Sequence, residues 1–419
     1  MNPSQYLEQA EREVASPTAV RGVAPQPFQT VVVVGGGLMG AGIAASCLNA
    51  DLQVTILERD RSAVEAARAR AEALLRGGLK RGKLTQEAFE TRRDALSVSD
   101  DYTLSRHADI AIEAVFEDLE VKREVFQRLA AELRPDALLA TNTSYLDPRA
   151  IAEGVPGPGR ILGLHFFSPA HIMKLLEIVR TPQTGAEVLA TAFALARRLG
   201  KVGVLCGICD GFIGNRMLRA YRRQADYLLA DGASPEQVDR AVRDFGMPMG
   251  PYELQDLTGL HIAWANRQRR ALMRDPAVRY VPIADRLCEQ GRLGQRTLRG
   301  WYRYEEGSRT PQPDPEVLSL LERYRNEAGL EPQLFSDTEI QERLVAVLAN
   351  EGARIVEEGV AESERAVDVV KVRGYGFPRE RGGPLHYAHT LGHAQVKRIL
   401  QNVTEQSPHS WHLAQLYRS

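Results

Sequence analysis

The sequence has little of what would mark out several large classes of protein. Four cysteines in 419 residues are too few for a disulfide framework, and that scarcity points to a reducing, cytoplasmic setting. No apolar run approaches the roughly 18 residues of a membrane-spanning helix. The opening MNPSQYLEQAEREVAS lacks the basic-then-apolar pattern of a secretory leader. A formal net charge of −1 gives no overall attraction for nucleic acid or an anionic membrane. Metal-ligand patterns are also missing. Cys206-Gly-Ile-Cys209 has no second pair at zinc spacing and His386-Tyr-Ala-His389 has no third ligand in view, so no metal site is expected. What remains is a globular chain too long for one ordinary core.

Residues 1–28 carry one short helical pattern and then GVAPQPFQ, whose prolines read as a linker. From Thr30 to about Gly207, short β-rich runs (TVVVV, QVTIL, ALSV, ADIAIEAV, ALLAT, RILGLHFF, KVGVL) alternate with helix-period segments such as AVEAARARAEALLRG and LEVKREVFQRLAAEL. That alternation predicts an α/β doubly wound domain over 29–210, mainly parallel, with helices on both faces. After GFIGNR the pattern turns helical. A first helical domain is expected over 211–308, a Pro-rich linker over 309–330, and a second helical domain over 331–419. DYLLADGASPEQVDRAVRDFGMPMGP (226–251) and ARIVEEGVAESERAVDVVKVRGYGFPRERGGP (353–384) share an acidic-Gly helix end, a Val-Asp pair, Gly-x-Pro and Gly-Pro. The two helical domains therefore read as copies of one unit.

Gly35-x-Gly37-x-x-Gly40 follows an apolar strand and opens a helix, the arrangement that binds a dinucleotide. Gly35 allows the tight turn, Gly37 lets a pyrophosphate approach the backbone, and Gly40 lets helix and strand pack. The helix start offers N–H groups and a positive dipole end to the phosphates. Glu58 at the end of the next strand is placed for both ribose hydroxyls. Its charge would repel a 2′-phosphate, which favours NAD over NADP despite Arg59 beside it. Glu117 and Lys122 follow the fourth strand candidate at the sheet edge where ligand is expected; read alone they better suit a solvated helix start. LKRGK (79–83) is a basic cluster after a Gly-Gly break, usually a solvated face but also a docking point for a phosphorylated ligand.

The stretch HFFSPAHIMKLLEIV (165–179) has two apolar arms around a Ser168-Pro169 break, a hairpin signature. Folding it about position 171 sets His165 opposite Glu177. A carboxylate beside an imidazole holds its tautomer and raises its basicity, as a general base requires, although the pair taken alone more often means a partly exposed histidine and a surface glutamate. Ser144 in TNTSYL ends a strand and can donate to a substrate oxygen or serve as an ordinary turn or cap serine. In CDGFIGNRM, Asp210 reads as a helix N-cap; Asn215, about one turn in, can point back into the cleft between domains, although read alone it better suits a solvated or capping asparagine.

Taken in order, GGGLMGAGIA, EAVFEDLEVK, TNTSYL, GLHFFSPAHIMKLLEIV, GFIGNRM, FGMPMGPYELQDLTGL, GRLGQRTLRGWYRY and GYGFPRERGGPLHYA closely resemble the 3-hydroxyacyl-CoA dehydrogenase family over residues 29–419. The dehydrogenase half of the multifunctional β-oxidation enzymes is nearest in character. The resemblance implies NAD-dependent oxidation of (3S)-3-hydroxyacyl-CoA to 3-oxoacyl-CoA, with His165 as base, Glu177 as its partner, and Ser144 and Asn215 at the reacting group. It implies that Gly35, Gly37, Leu38, Met39, Gly40, Glu58, Glu117, Lys122, Ser144 and Ser168 lie at the cofactor, and that Lys80 or Lys83 meets a CoA phosphate. Three departures stand out. Ser168 replaces the usual Asn after His-Phe-Phe, Asp210 stands where an uncharged residue is commoner, and a 28-residue stub stands where multifunctional relatives carry a hydratase/isomerase half. The alternatives are reduction of a 3-oxoacyl thioester in a biosynthetic setting, or a weakly active subunit docking a separate enoyl-CoA hydratase. A thiolase is a further possible partner. Monomer and homodimer are equally reasonable, since the second helical copy can fill within one chain the role a second subunit fills elsewhere.

Overall fold

The computed structural model describes residues 2–418. These form two compact units. One is built on the chain up to Asn215 together with Glu358–Tyr375, the other on Arg216–Glu357 with the chain from Gly376 onward. Among the described residues no helix is long and apolar enough to cross a membrane.

The first unit holds eight strands, β1 (Thr30–Val34), β2 (Gln53–Leu57), β3 (Leu96–Ser99), β4 (Ile110–Glu113), β5 (Leu138–Thr141), β6 (Ile161–Phe166), β7 (Leu175–Arg180) and β8 (Val202–Cys206). They form one sheet in the order β3-β2-β1-β4-β5-β6-β7-β8. Every neighbouring pair is parallel except β6 and β7. Both faces are covered. Val31, Val33, Ile56 and Ile112 pack with Ile43 and Phe193 on one side. Val32, Val34, Ala111 and Leu139 pack with Phe126 and Leu129 on the other. A strand buried on two faces needs apolar side chains at every position, so these strands show as continuous apolar runs.

Residues 3–14 belong to this unit as well. Asn2 caps the helix Pro3–Val14 by accepting from the Gln5 N–H at 2.9 Å. The buried Leu7 and Ala10 face inward. Glu11 pairs with Arg373 at 2.6 Å, Glu13 with Arg365, and the Tyr6 hydroxyl donates to Asp368 at 2.7 Å. The boundary expected for a second helical domain over 331–419 is thus cut differently. Its helix Glu364–Tyr375 lies with the sheet, where Gly374 leaves room for Leu175 of β7.

The helix series nevertheless repeats. Gly214–Asp231, Pro235–Phe245, Pro251–Thr258 and Leu260–Ala271 are echoed by Asp337–Glu357, Glu364–Tyr375, Pro384–Leu391 and His393–Gln406. In the first series two buried aspartates hold the GMPMGPYELQD and GWYRY segments in place. Asp239 accepts the N–H groups of Tyr252 and Glu253 at 3.0 and 2.9 Å, capping Pro251–Thr258, and the Tyr302 hydroxyl at 2.7 Å. Asp256 accepts the Trp301 and Tyr302 N–H groups at 2.9 and 3.0 Å and the Tyr304 hydroxyl at 2.9 Å. Burial pushes the Asp239 carboxyl up to about 7 and the Asp256 carboxyl up to about 6, against the hydrogen bonds that favour the charged forms.

Two local expectations are corrected. The helix Arg61–Lys80 runs through Gly77-Gly78 without a break. Each glycine costs a helix up to about 1 kcal/mol, but at Gly78 the missing side chain lets Leu84 pack back against the last turn. The helix after β8 begins at Gly214, so Asp210 lies ahead of it in a turn instead of at its cap, and Asn215 sits in the first turn. The turn ahead of the helix includes Phe212 at φ 48°.

Candidate active site

The carboxyl ends of the parallel strands gather the candidate residues. Gly35 follows β1 at φ 91°, a conformation L side chains rarely adopt, and Gly40 packs so closely on the Gly35 carbonyl that no side chain fits there. Gly37 opens onto free space and is the N-cap of the helix Leu38–Asn49, with no side chain to occupy the first N–H groups. Leu38 is exposed at that helix start, whereas Met39 is partly buried against the core. Glu58 follows β2 and accepts the Gly36 N–H at 2.6 Å. Arg70, which sequence reasoning missed, reaches the Gly36 carbonyl from the neighbouring helix. An uncapped helix start, an open glycine and a strand-end carboxylate fit a dinucleotide.

At the end of β4 the structure departs from a solvated helix start. The Lys122 ammonium is fully buried, 2.7 Å from Glu113 and 3.3 Å from Glu117. Glu113, also missed, is fully buried too and accepts the Thr141 hydroxyl at 2.6 Å and the Val115 N–H at 2.8 Å. Glu117 in turn accepts the Thr143 hydroxyl and the N–H groups of Ser144 and Tyr145 at 2.6, 2.8 and 3.1 Å. Burial alone would raise the Glu117 carboxyl. The Lys122 charge and these donors outweigh it and hold the group below its ordinary range. Lys122 thus acts through Glu117 on the loop that carries Ser144.

The hairpin of β6 and β7 pairs His165 directly with Glu177. His165 Nδ1 lies 2.7 Å from Glu177 Oε2, and the other carboxylate oxygen accepts the Gly214 N–H at 2.9 Å. With Nδ1–H donating to the carboxylate, Nε2 carries the lone pair. That nitrogen lies 3.3 Å from Ser144 Oγ. The imidazole is 4% exposed and Glu177 is fully buried. Phe167 and Phe212 flank the ring at 4.4 and 5.6 Å between centroids. Asn215, next along from Gly214, accepts the Tyr375 hydroxyl at 2.9 Å. Ser168 is exposed just past β6.

Lys80 and Lys83 are exposed at the end of the helix Arg61–Lys80. Their neighbourhood is positive. Burial, then the charges of Arg81, Lys201 and Lys83, hold His171 in the hairpin turn below the usual histidine range. Lys201 braces that turn by donating to the Ala170 carbonyl at 2.6 Å.

Comparison with known proteins agrees with this geometry. Residues 30–209 match the family model described as 3-hydroxyacyl-CoA dehydrogenase, NAD binding domain, and residues 211–304 match that of its C-terminal domain. The peroxisomal bifunctional enzyme of Danio rerio is 41% identical over 391 residues, 90% of this chain and 53% of that protein. The chain thus spans about half the length of the curated relatives it matches. Among solved structures, 3-hydroxybutyryl-CoA dehydrogenase from Escherichia coli K12 superposes with a TM-score of 0.79 at 29% identity, covering 91% of this chain and 95% of that one. M. tuberculosis FadB2 superposes with a TM-score of 0.63 at 35% identity, covering 67% of this chain and all of that one.

Proposed function

Since the chain belongs to the 3-hydroxyacyl-CoA dehydrogenase family, we propose that it oxidises (3S)-3-hydroxyacyl-CoA to 3-oxoacyl-CoA with NAD, as a step of fatty acid β-oxidation. Bound NAD supplies the hydride acceptor for C3. The observation that carries the reading is the hairpin pair, His165 held through Nδ1 by a fully buried Glu177, with Nε2 facing Ser144. His165 Nε2 takes the proton of the 3-hydroxyl. Glu177 stabilises the imidazolium that results, and because its second oxygen is held by the Gly214 N–H, the imidazole keeps one orientation through the transfer. Ser144 and Asn215 orient the hydroxyl and thioester oxygens. Exclusion of water by Phe167 and Phe212 strengthens these contacts.

Gly35, Gly37 and Gly40 with Glu58 would hold the cofactor. The choice of NAD over NADP is supported by Glu58, whose charge opposes a 2′-phosphate. The basic run of Lys80, Arg81 and Lys83 supports docking of a CoA phosphate there. The proposed setting is cytoplasmic, on the sparse cysteine usage; the Danio rerio relative is described as peroxisomal.

The test is NADH formation by the purified protein from (3S)-3-hydroxyacyl-CoAs of graded chain length, with His165→Ala beside it. General-base action is typically worth about 10²–10⁴-fold, so the variant is expected to lose at least about a hundredfold in turnover. A loss under about tenfold removes His165 from that role. No turnover at any chain length removes the substrate class.

A further inference from the structure

The motif GYGFPRERGGP has no place in the mechanism above, yet its tyrosine reaches the site. The helix Glu364–Tyr375 ends on Tyr375 within the same compact unit as the sheet. Three contacts tie this residue to the catalytic group. Its hydroxyl donates to Asn215 Oδ1 at 2.9 Å. Its ring meets Phe167 edge-on at 5.6 Å, and Phe167 lies against His165 at 4.4 Å. It also presses so closely on Gly214 that a side chain there would come within 2.2 Å of the ring. Gly214 is the residue whose N–H fixes Glu177.

A carboxamide has two ends of similar shape and opposite hydrogen-bonding sense. With its carbonyl oxygen taken by the Tyr375 hydroxyl, the Asn215 side chain presents its NH₂ end as donor. A donor is what a thioester or hydroxyl oxygen requires. The internal repeat sharpens the point. Phe245-Gly246-Met247-Pro248 in the first copy corresponds to Tyr375-Gly376-Phe377-Pro378 in the second. Phe245 is buried, edge-on to Phe377 and Tyr387 and with the Arg381 guanidinium over its ring at 4.0 Å. The same slot in the second copy carries a hydroxyl, and that hydroxyl is spent on Asn215.

We infer that Tyr375 is a positioning residue for the dehydrogenase reaction, fixing the Asn215 carboxamide with its NH₂ toward the substrate oxygens. The inference rests on the proposed activity for its kinetic consequence, but the hydrogen bond itself can be read without substrate. Tyr375→Phe keeps the ring on Phe167 and Gly214 and removes only the hydroxyl.

Tyr375→Phe, Asn215→Ala and the double variant form a thermodynamic cycle. Loss of one neutral hydrogen bond supports an expected fall of about five- to tenfold in kcat/KM for the acyl-CoA. The KM for NAD should be unchanged. In the Asn215→Ala background the same substitution should cost less than about twofold, because its target is gone. Additive losses, or wild-type activity in Tyr375→Phe, would overturn the inference. Selective ¹⁵N-asparagine labelling supplies the second readout. The Asn215 side-chain amide signal, identified by its loss in Asn215→Ala, should shift in Tyr375→Phe without any substrate present. An unmoved signal also overturns it. If the wild type fails to oxidise any 3-hydroxyacyl-CoA while the amide signal moves, the proposed activity falls and the positioning contact stands.

Discussion

Lys122 and Glu113 form an ion pair of 2.7 Å in which neither side chain has any exposed surface. Two unlike charges in such a place survive through each other and through the Thr141 hydroxyl and Val115 N–H that complete the carboxylate. Removing one partner leaves the other buried and unpaired. Lys122→Met is therefore expected to cost about 3–5 kcal/mol in denaturant unfolding. A cost below about 1 kcal/mol would show that the pair behaves as a surface one.

Glu177 differs from Glu113 in that its charge serves the imidazole. Glu177→Gln keeps the shape and removes the charge that stabilises protonated His165. Turnover is expected to fall by about a hundredfold or more, with the KM for NAD little changed. A variant that retained more than about a third of wild-type turnover would place the proton elsewhere.

The cofactor preference should lie largely in one carboxylate. Glu58→Gln removes the repulsion toward a 2′-phosphate while Arg59 and Arg70 remain nearby. The ratio of kcat/KM for NADP to that for NAD is expected to rise about tenfold, equivalent to roughly 1.4 kcal/mol. An unchanged ratio would mean that another group discriminates.

Stability should respond to pH through the second unit. Asp239 and Asp256 are raised by burial to about 7 and about 6, above an ordinary aspartate value of about 3.9. The folded chain therefore holds protons that the unfolded chain releases between about pH 4 and 7. The sign follows: this contribution is present in full below the unfolded value and is lost as pH rises through the folded values. Asp239→Asn should shrink the loss of Tm between pH 5 and pH 8, even if the variant is less stable throughout. A steeper loss in the variant would reverse the assignment.

Much of this arrangement was legible from residue order because it rests on local patterning. Doubly buried parallel strands leave apolar runs, and a Pro-centred hairpin leaves a centre of symmetry that puts His165 across from Glu177. The glycines after β1 likewise follow from backbone geometry. Other features depend on partners distant in sequence. A lysine on a helix start looks solvated until the carboxylate nine positions earlier is seen to turn inward, as Glu113 does toward Lys122. Gly77-Gly78 looks like a break until Leu84 fills the space. Asp210 had the chemistry of a cap, but the turn through Phe212 delays the helix to Gly214. Tyr375 and Tyr6 act across 160 and 362 positions of chain, and no periodicity encodes that.

The sheet unit draws its last helix, Glu364–Tyr375, from beyond the whole of residues 216–357. On the ribosome the strands and the glycine loop precede Tyr375 and the partners of the first helix, Asp368 and Arg373, by the whole of that intervening segment. The nucleotide-binding part therefore keeps an uncovered flank at β7 and β8 while residues 216–357 are being made, and it becomes a finished object only once Glu364–Tyr375 has been delivered.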